Sequence, residues 1–364
     1  MKLTKLTLKN FRNFNTFEKS FEKDVNILIG LNGQGKTSLV ESIFMLSTTK
    51  SHRVAKDSHV IKLGEEFSVI KGSFMNSDDE IDLSVHLVTN KKIAKINGVQ
   101  VQKLADFVGN LKAVFFAPED LFIIKGNPSN RRKFIDIGIA QIDNNYVYHL
   151  MTYKKILKQR NEILKKYNEY ESSDLMLDVF NNQLVPHVLY ITQKRCWYLK
   201  ELNRLASKNH AYLSDTNDIV VLEYNSFMNG VEITEEQILK MYEDGKKRDI
   251  VNKSTQIGPH RDDFNVLLSN YKAQIFASQG QQRTLILAIK LSEIDLIKQV
   301  TGITPILLLD DVLSELDNNR QVRLLKRTIG NSQTFITTTS LNGITDKIIE
   351  EAEIFEIKNS KIGD

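Results

Sequence analysis

Residues 1–120 carry short apolar runs and stretches of alternating apolar and polar positions, a pattern typical of β-strands. The run from Val25 to Ile29 ends at a glycine and predicts a short buried strand. The dipeptide Asn97-Gly98 lies between two further stretches and predicts a hairpin turn, because both residue types tolerate a positive φ angle. The predicted strands cover residues 3–8, 25–29, 67–74, 81–89, 91–103 and 112–116.

The middle of the chain changes to a helical spacing. Across residues 146–167 and again across residues 184–205, apolar side chains recur at steps of four and three. Each series forms the apolar stripe, or seam, of a helix. In each seam one expected apolar position is occupied by an arginine, Arg160 in the first and Arg195 in the second. The spacing predicts two packed helices of about 24 residues each. Pro186, near the start of the second helix, favours a short helical hairpin over an extended coiled coil.

After about residue 250 the pattern returns to α/β. A long amphipathic helix is predicted first, then two buried strands and a closing strand of alternating pattern, at residues 279–300, 306–309, 334–337 and 352–357. Because α/β segments at both ends enclose a helical stretch, the sequence predicts a helical insertion in an α/β domain. The expected parts are an N-terminal part, an insertion and a C-terminal part, at residues 1–120, 121–250 and 251–364.

The charges are nearly balanced, with 49 Lys and Arg against 45 Asp and Glu and a net charge of +4. This balance excludes a histone-like protein, so a nucleic-acid site has to be a local basic patch. The single cysteine, Cys196, excludes an internal disulfide and a cysteine zinc cluster, and it fits a reducing compartment. Apolar runs are far shorter than the ~20 residues of a membrane span, so we expect a soluble, cytoplasmic protein without a membrane partner.

A phosphate-binding loop is predicted between the strand at 25–29 and a helical stretch. The segment fits the pattern G-x-x-x-x-G-K-[ST], in which glycines let backbone N–H groups close around phosphate oxygens. Lys36 is expected to reach the β- and γ-phosphates of a nucleotide, and Thr37 to bind Mg²⁺. The candidate nucleotide-binding residues are Gly30, Leu31, Asn32, Gly33, Gln34, Gly35, Lys36 and Thr37.

Two carboxylates end the predicted buried strand at 306–309. Ligands of open α/β sheets lie at the carboxyl ends of the strands, which is where these aspartates are expected. Asp310 is predicted to hold Mg²⁺, directly or through water, and Asp311 to orient or deprotonate the attacking water. With Lys36, these two aspartates are the candidate catalytic residues.

The helix before that strand opens with Ser278, Gly280 and Gln281, and exposed N–H groups at such a helix start suit an anion. A phosphate loop, then Ser-x-Gly-Gln, then a strand ending in Asp-Asp and then Ser-Glu-Leu-Asp at 314–317 resembles the arrangement of ABC-type ATPases. In that class the Ser-x-Gly-Gln element contacts the γ-phosphate of a nucleotide held by the opposite subunit. The resemblance therefore implies a homodimer with two ATP molecules at its interface.

Further segments indicate which branch of the ABC-type ATPases this chain resembles. Residues 8–14 look like the opening strand of the SMC/Rad50/RecF branch of these ATPases. The separation of Lys36 from Ser278 is too long for a transporter ATPase and too short for the long coiled coils of SMC or Rad50 proteins. The segments 116–136 and 257–263 resemble the RecF family of bacterial DNA-repair proteins, and this resemblance covers almost the whole chain.

The resemblance implies an α/β fold, an ABC-type P-loop ATPase head with an inserted helical second lobe. It also implies a slow, DNA-stimulated ATPase that binds gapped or single-stranded DNA and single-strand–duplex junctions. Such a protein acts with RecO and RecR to help load RecA, in repair, replication restart and the SOS response. For this chain it implies ATP at residues 30–37, Mg²⁺ at Thr37 and Asp310, and Arg12 near the nucleotide.

Two departures from the wider ABC pattern stand out. Asp311 takes the place of the usual catalytic Glu and is one methylene shorter, so we expect poorer positioning of water and slow hydrolysis. No histidine follows the strand at 334–340, where transporter ATPases carry a switch histidine, and Thr338 or Thr339 stands in its place. Glu119 is a candidate for the usual glutamine-loop residue.

The DNA-contacting residues are left open by the sequence. A cluster of basic residues on the two predicted helices is either a phosphate-binding surface or a solvated charged face. It comprises Lys154, Lys155, Lys158, Arg160, Lys165, Lys166, Lys194, Arg195, Lys200 and Arg204. The run Arg131-Arg132-Lys133 is a second candidate, or it pairs within the chain. Residues 260–263, His-Arg-Asp-Asp, suggest a structural role.

Two other functions compete with an ATP-gated DNA clamp. A transporter-type ATPase subunit would dock on a membrane partner, but the long insertion and the missing switch histidine count against it. A phosphotransferase would use the same phosphate loop, yet it needs no Ser-x-Gly-Gln element.

Overall fold

The structure of this chain, a computed structural model, describes residues 1–54, 56–76, 79–89, 91–169, 171–228, 233–341 and 344–362. Its strands are β1 (Lys2–Phe11), β2 (Phe14–Ser20), β3 (Val25–Ile29), β4 (Phe67–Asn76), β5 (Asp79–Val88), β6 (Lys91–Ile96), β7 (Val99–Gln100), β8 (Ala113–Phe116), β9 (Val220–Asn225), β10 (Asp263–Leu268), β11 (Tyr271–Lys272), β12 (Ile306–Asp310), β13 (Thr334–Thr338), β14 (Glu353–Lys358) and β15 (Lys361–Ile362). Its helices are α1 (Lys36–Thr48), α2 (Leu104–Phe107), α3 (Phe122–Lys125), α4 (Pro128–Ala140), α5 (Asn144–Lys165), α6 (Ser173–Ser214), α7 (Glu235–Val251), α8 (Ala273–Phe276), α9 (Gln279–Thr301), α10 (Asn318–Thr328) and α11 (Asp346–Glu351).

The chain divides into two units by its internal contacts. The first unit contains residues 1–121, 208–217 and 279–364, and the second contains residues 122–207 and 218–278. The division expected from the sequence assigned residues 251–278 to the C-terminal part of the head, whereas their contacts group with the second unit. No helix within the described residues is both long and apolar enough to cross a membrane.

The first unit contains two sheets. One has the order β15-β14-β3-β13-β12-β8, in which β14, β3, β13, β12 and β8 run parallel. Every residue of β12 and β13 is buried, as expected for parallel strands covered on both faces. The other sheet, β2-β1-β4-β5-β6-β7, is antiparallel. Helix α1 contacts strands of both sheets, which explains why nearly all of its residues are buried.

The strands predicted in residues 1–120 are present, with one difference. The segment predicted as one strand pair at 91–103 forms β6 and the two-residue β7, with Asn97 and Gly98 in the turn at φ angles of 48° and 80°. Helix α2 then begins at Leu104. The closing strand predicted at 352–357 is β14, which pairs with β3 in parallel beside the phosphate loop.

The second unit contains helices and a sheet of its own. Strands β11, β10 and β9 form a three-stranded antiparallel sheet that the helical pattern did not predict. Helix α5 confirms the first predicted seam, and the apolar side chains of the seam, such as Tyr153 and Leu164, are buried.

The second predicted helix is much longer than expected. Helix α6 runs for 42 residues and contains Pro186 in its interior, so placing this proline near the helix start was wrong. Apolar side chains on both sides of it, Leu177 and Leu184 before and Val188 after, are fully buried. Their packing outweighs the loss of one backbone hydrogen bond at the proline, so the helix continues through it.

Candidate nucleotide-binding site

The loop at residues 30–35 connects β3 to α1 and requires glycine where other segments approach it. A Cβ atom on Gly30 would lie 2.4 Å from the carbonyl oxygen of Ile357 in β14. A Cβ atom on Gly35, whose φ is 111°, would lie 2.9 Å from the Phe14 ring. Gly33 adopts a φ of 80°, a conformation that glycine reaches without strain. The glycines of the motif thus allow a tight backbone curve in front of the first turn of α1.

Lys36 is the first residue of α1 and is buried. Its ammonium donates hydrogen bonds to the carbonyl oxygens of Gly30, at 2.6 Å, and Leu31, at 2.9 Å. Burial lowers the pKa of Lys36, while the charges of Asp311 and Asp310 act in the opposite direction. The cation therefore spans the loop, where phosphate oxygens can replace the two carbonyl acceptors.

Asp310 ends β12 and meets the second motif residue of the loop. Its Oδ1 accepts hydrogen bonds from Thr37 Oγ1, at 2.9 Å, and from Thr337 Oγ1, at 2.7 Å. Burial raises the pKa of Asp310, and the two hydroxyl donors oppose that rise. Hydroxyl and carboxylate oxygens are the ligands that Mg²⁺ prefers, so the donor set at Thr37 and Asp310 fits this ion.

Asp311 follows Asp310 in a left-handed backbone conformation, with φ at 51°. Its N–H donates to Thr337 Oγ1 at 3.0 Å, so one hydroxyl of β13 contacts both aspartates of the motif. Thr337 was missed by the sequence analysis, which considered only Thr338 and Thr339 at that strand end. The available signal was the threonine-rich end of the predicted strand, but choosing the residue requires knowing that β12 and β13 are neighbours.

Glu119 and Arg53 lie close enough to influence Asp310. The charge of Glu119 raises the pKa of Asp310, and the charge of Arg53 lowers it. Arg53 Nε lies 3.9 Å from Glu119 Oε1, and both side chains are nearly half exposed. Glu119, the candidate for the glutamine-loop residue, is thus near the candidate metal ligands. Arg53 belongs to no apolar periodicity and to no motif, so nothing in the sequence indicated that it lies near Asp310.

Arg12 occupies the tight turn after β1, with φ at 53°. Its Nε and Nη2 donate to the carboxylate of Glu41, at 2.9 and 2.7 Å, and its Nη1 donates to the carbonyl oxygen of His59 at 2.8 Å. Glu41 lies in α1 and is fully buried. The described contacts of Arg12 therefore tie the first hairpin to α1.

The Ser-x-Gly-Gln element lies at the start of α9. Ser278 and Gln281 are exposed and Gly280 is half-buried. Just before them in the chain, Ile275 and Phe276 are each 67% exposed, which is unusual for side chains of this size. Polar side chains at the start of α9 and apolar side chains at the end of α8 are therefore exposed to solvent.

Two members of the basic cluster that was a candidate for DNA contact, Arg160 and Arg195, lie in the interior of the second unit. Arg160 is fully buried and donates to Asp249 at 2.8 Å and Thr255 at 2.7 Å. Arg195 is also buried and donates to Asp136 at 2.8 Å. Placing these two arginines in a phosphate-binding surface was wrong, because buried guanidinium groups with fixed carboxylate partners cannot reach a nucleic acid.

The Arg131-Arg132-Lys133 run also pairs within the second unit. Arg131 forms a bidentate pair with Asp263, at 2.6 and 2.8 Å, and Arg132 donates to the carbonyl oxygen of Asp262 at 2.7 Å. His260 Nδ1 lies 2.5 Å from the hydroxyl of Tyr153, and burial lowers the pKa of His260 to about 4. Residues 260–263 thus have the structural role that was suggested for them.

Comparison with known proteins places this chain in a family. A family model described as the RecF/RecN/SMC N-terminal domain matches residues 2–361. The DNA replication and repair protein RecF of Staphylococcus carnosus (strain TM300) is 41% identical over 368 residues, covering 100% of both chains. The protein of the same name from Lactobacillus johnsonii is 40% identical over 369 residues, covering 100% of this chain and 99% of that one.

Solved structures of other proteins also resemble this chain. The recombination mediator protein RecF with ATP in the RecFOR pathway has a TM-score of 0.91 at 35% identity, over 99% of this chain and 96% of that one. An Smc head bound to the C-winged helix domain of ScpA, at 16% identity and a TM-score of 0.54, shares the fold alone. These likenesses confirm the predicted class of fold, an α/β ATPase head of the ABC type. The family model and the full-length relatives together show that this chain belongs to the RecF family of DNA replication and repair proteins.

Proposed function

We propose that this chain is an ATP-gated DNA-binding protein that hydrolyses ATP slowly and acts as a homodimer in the cytoplasm. The observation that carries the proposal is the contact of Thr37 with Asp310, 273 residues apart in the chain. This contact brings the phosphate loop next to the carboxyl end of β12, as a nucleotide-hydrolysing site requires. The related structure described as RecF-ATP supports the choice of nucleotide.

The roles of the residues follow from their positions. The N–H groups of residues 30–37 and the ammonium of Lys36 hold the phosphates of ATP. Thr37 and Asp310 hold Mg²⁺, which neutralises charge on the β- and γ-phosphates when it is bound. Asp311 orients the attacking water and accepts its proton. Since Asp311 is shorter than glutamate, its carboxylate positions water less well, and hydrolysis is slow.

A second copy of the chain completes each site. Ser278, Gly280 and Gln281 contact the γ-phosphate held by the partner copy, so ATP joins two chains. Their position at the start of α9 supports this role, because the N–H groups of a helix start favour an anion. The neighbouring Ile275 and Phe276, exposed in the single chain, supply apolar area that dimerisation would cover.

The dimer binds DNA at single-strand gaps and single-strand–duplex junctions, and it works with RecO and RecR to help load RecA. Replication restart and induction of the SOS response depend on this step. Support comes from relatives named DNA replication and repair proteins, and from the RecFOR pathway of the ATP-bound relative. The transporter-type and phosphotransferase alternatives have no observation in their favour.

Binding of gapped duplex DNA with and without a non-hydrolysable ATP analogue tests the proposal, with oligomeric mass measured in the same samples. We expect the analogue to double the mass and to tighten DNA binding. Lys36→Met is expected to abolish both effects because it removes the phosphate-binding cation. A protein that stays monomeric with saturating Mg-ATP and DNA would refute the ATP-gated dimer.

A further inference from the structure

One face of helix α5 is exposed and rich in lysine. The opposite face is buried through Tyr146, Tyr153 and Leu157, so the helix presents a single side to solvent. Exposed lysines continue along that side into the first residue after the helix. They are Lys154, Lys155, Lys158, Lys165 and Lys166, which we call the α5 lysine face.

This face holds an excess of positive charge. Glu162 of α5 pairs with Lys165 at 2.8 Å, and Asp136 of α4 lies 3.9 Å from the ammonium of Lys154, so five lysines stand against two acids. Lys155, Lys158 and Lys166 make no ion pair with a carboxylate of the described residues. Their ammonium groups are therefore available to an external anion.

The spacing of these lysines suits an extended polyanion. Lys155 and Lys158 are three residues apart, and Lys166 follows Lys158 by eight residues, two steps of four, so the three lie on the same side of the helix, with Glu162 at the step between the last two. At 1.5 Å per residue, the distance along the axis from Lys155 to Lys166 is about 16 Å, enough to meet several phosphates of one DNA strand. A lysine ammonium binds a phosphate oxygen as a point charge, and contacts to phosphates carry no sequence information directly.

We propose that the α5 lysine face binds the phosphate backbone of DNA without reading its sequence. The inference rests on the proposed DNA-binding function and adds the surface that performs it. It also separates the lysines of α5 from the buried Arg160 and Arg195, which share the same basic segments but hold the interior together.

The test is the double variant Lys155→Gln/Lys158→Gln, which removes two exposed charges and keeps polar side chains at both positions. Binding of a labelled gapped duplex is followed by fluorescence anisotropy over a series of salt concentrations, with a non-hydrolysable ATP analogue present. We expect the logarithmic salt slope to become shallower by about 1.8 for duplex contacts, or about 1.4 for single-strand contacts. The affinity at low salt should fall roughly tenfold or more, equally for two unrelated DNA sequences.

A matched control is available in the same unit. Lys240→Gln/Lys247→Gln, on α7, removes the same charge from exposed lysines that have Glu243 and Asp244 on the same helix. We expect the control to keep nearly the wild-type slope. Equal slopes for the two double variants would overturn the α5 assignment.

The outcome also separates this inference from the proposed function. If the wild-type chain dimerises on the analogue and binds DNA, and the α5 variant binds equally well, only the surface is wrong. If the wild-type chain binds no DNA in any nucleotide state, the DNA-binding function itself is wrong and the α5 assignment falls with it.

Discussion

Thr337 connects the two aspartates on which the proposed hydrolysis depends. Its hydroxyl donates to Asp310 and accepts the N–H of Asp311, so a single atom of β13 sets the position of both residues. A buried carboxylate such as Asp310 depends on such donors, because removing one leaves lone pairs without a partner in a place that water reaches poorly.

Replacing this hydroxyl is the first prediction. Thr337→Val keeps the shape of the side chain, and we expect it to lower the free energy of unfolding by about 1–2 kcal/mol and to reduce ATP hydrolysis. Thr337→Ser restores the hydroxyl and should recover both. Chemical unfolding and single-turnover ADP formation measure the two effects. If valine and serine behave alike, the hydroxyl does not position the aspartates.

Asp311 allows a separation of ATP binding from hydrolysis. Asp311→Asn removes the carboxylate but keeps a residue that tolerates the left-handed conformation, so the fold is preserved. We expect ATP affinity and ATP-induced dimerisation to persist while hydrolysis falls by about 10²-fold or more. The control is Asp311→Ala, which also loses the conformational tolerance. An asparagine variant that hydrolyses ATP at the wild-type rate would assign the water to another residue.

Some residues of the site are predicted by sequence motifs, and others are identified only by the fold. Lys36, Thr37, Asp310 and Asp311 stand in motifs whose residue types follow from phosphate and metal chemistry, and the structure brings Thr37 and Asp310 together. Thr337 and its contacts were out of reach, because they depend on which strands are neighbours in the sheet.

At the scale of elements, the period of apolar positions predicted the strands and helices that bury one face. The strands of the first unit and the seam of α5 have clear periods and are present where expected. Strands β9, β10 and β11 are short, and helix α7 separates β9 from β10 in the chain, so their alternation did not stand out. A shorter α6 was expected because proline usually breaks a helix. Buried neighbours on both sides of Pro186 stabilise the helix through it.

The contacts between elements of the second unit include a pH-sensitive one. His260 binds Tyr153 of α5 and, through its Nε2, the carbonyl oxygen of Thr255. Burial lowers the pKa of His260 to about 4 in the folded chain, against 6.5 for an unperturbed histidine. As the pH falls below about 6.5 the unfolded chain takes up the proton first, so the folded unit loses stability between pH 6.5 and 4.

The expected size of this loss is about 2 kcal/mol by pH 5 and about 3 kcal/mol by pH 4, at about 1.4 kcal/mol per pKa unit. Urea unfolding of the wild-type chain and of His260→Gln at pH 7.5 and at pH 5 measures it. Other groups titrate in both proteins and cancel in the comparison, so the variant should show the smaller decrease in stability. If the two proteins lose equal stability between these pH values, His260 is not the sensitive group.

At the scale of the whole molecule, the two halves of a nucleotide site are proposed to come from different chains. Lys36 holds the phosphates in one copy, and Ser278 of the other copy contacts the γ-phosphate. Ser278→Arg is therefore expected to keep ATP affinity and to lose ATP-induced dimerisation, because the longer side chain clashes at the interface. Nucleotide binding by equilibrium dialysis and mass by light scattering make the comparison. Dimers that persist in this variant would remove Ser278 from the interface.

A mixture of two inactive variants gives the sharper test of the shared site. Lys36→Met lacks a working phosphate loop but keeps its Ser278, and Ser278→Ala, which removes the hydroxyl without adding a clash at the interface, has the opposite defect. In a mixed dimer, one site combines the intact loop of one chain with the intact Ser278 of the other. We expect the mixture to hydrolyse ATP at a fraction of the wild-type rate, although each variant alone is inactive. If Ser278 acted on the nucleotide of its own chain, mixing would restore nothing, since each chain would still carry its own defect.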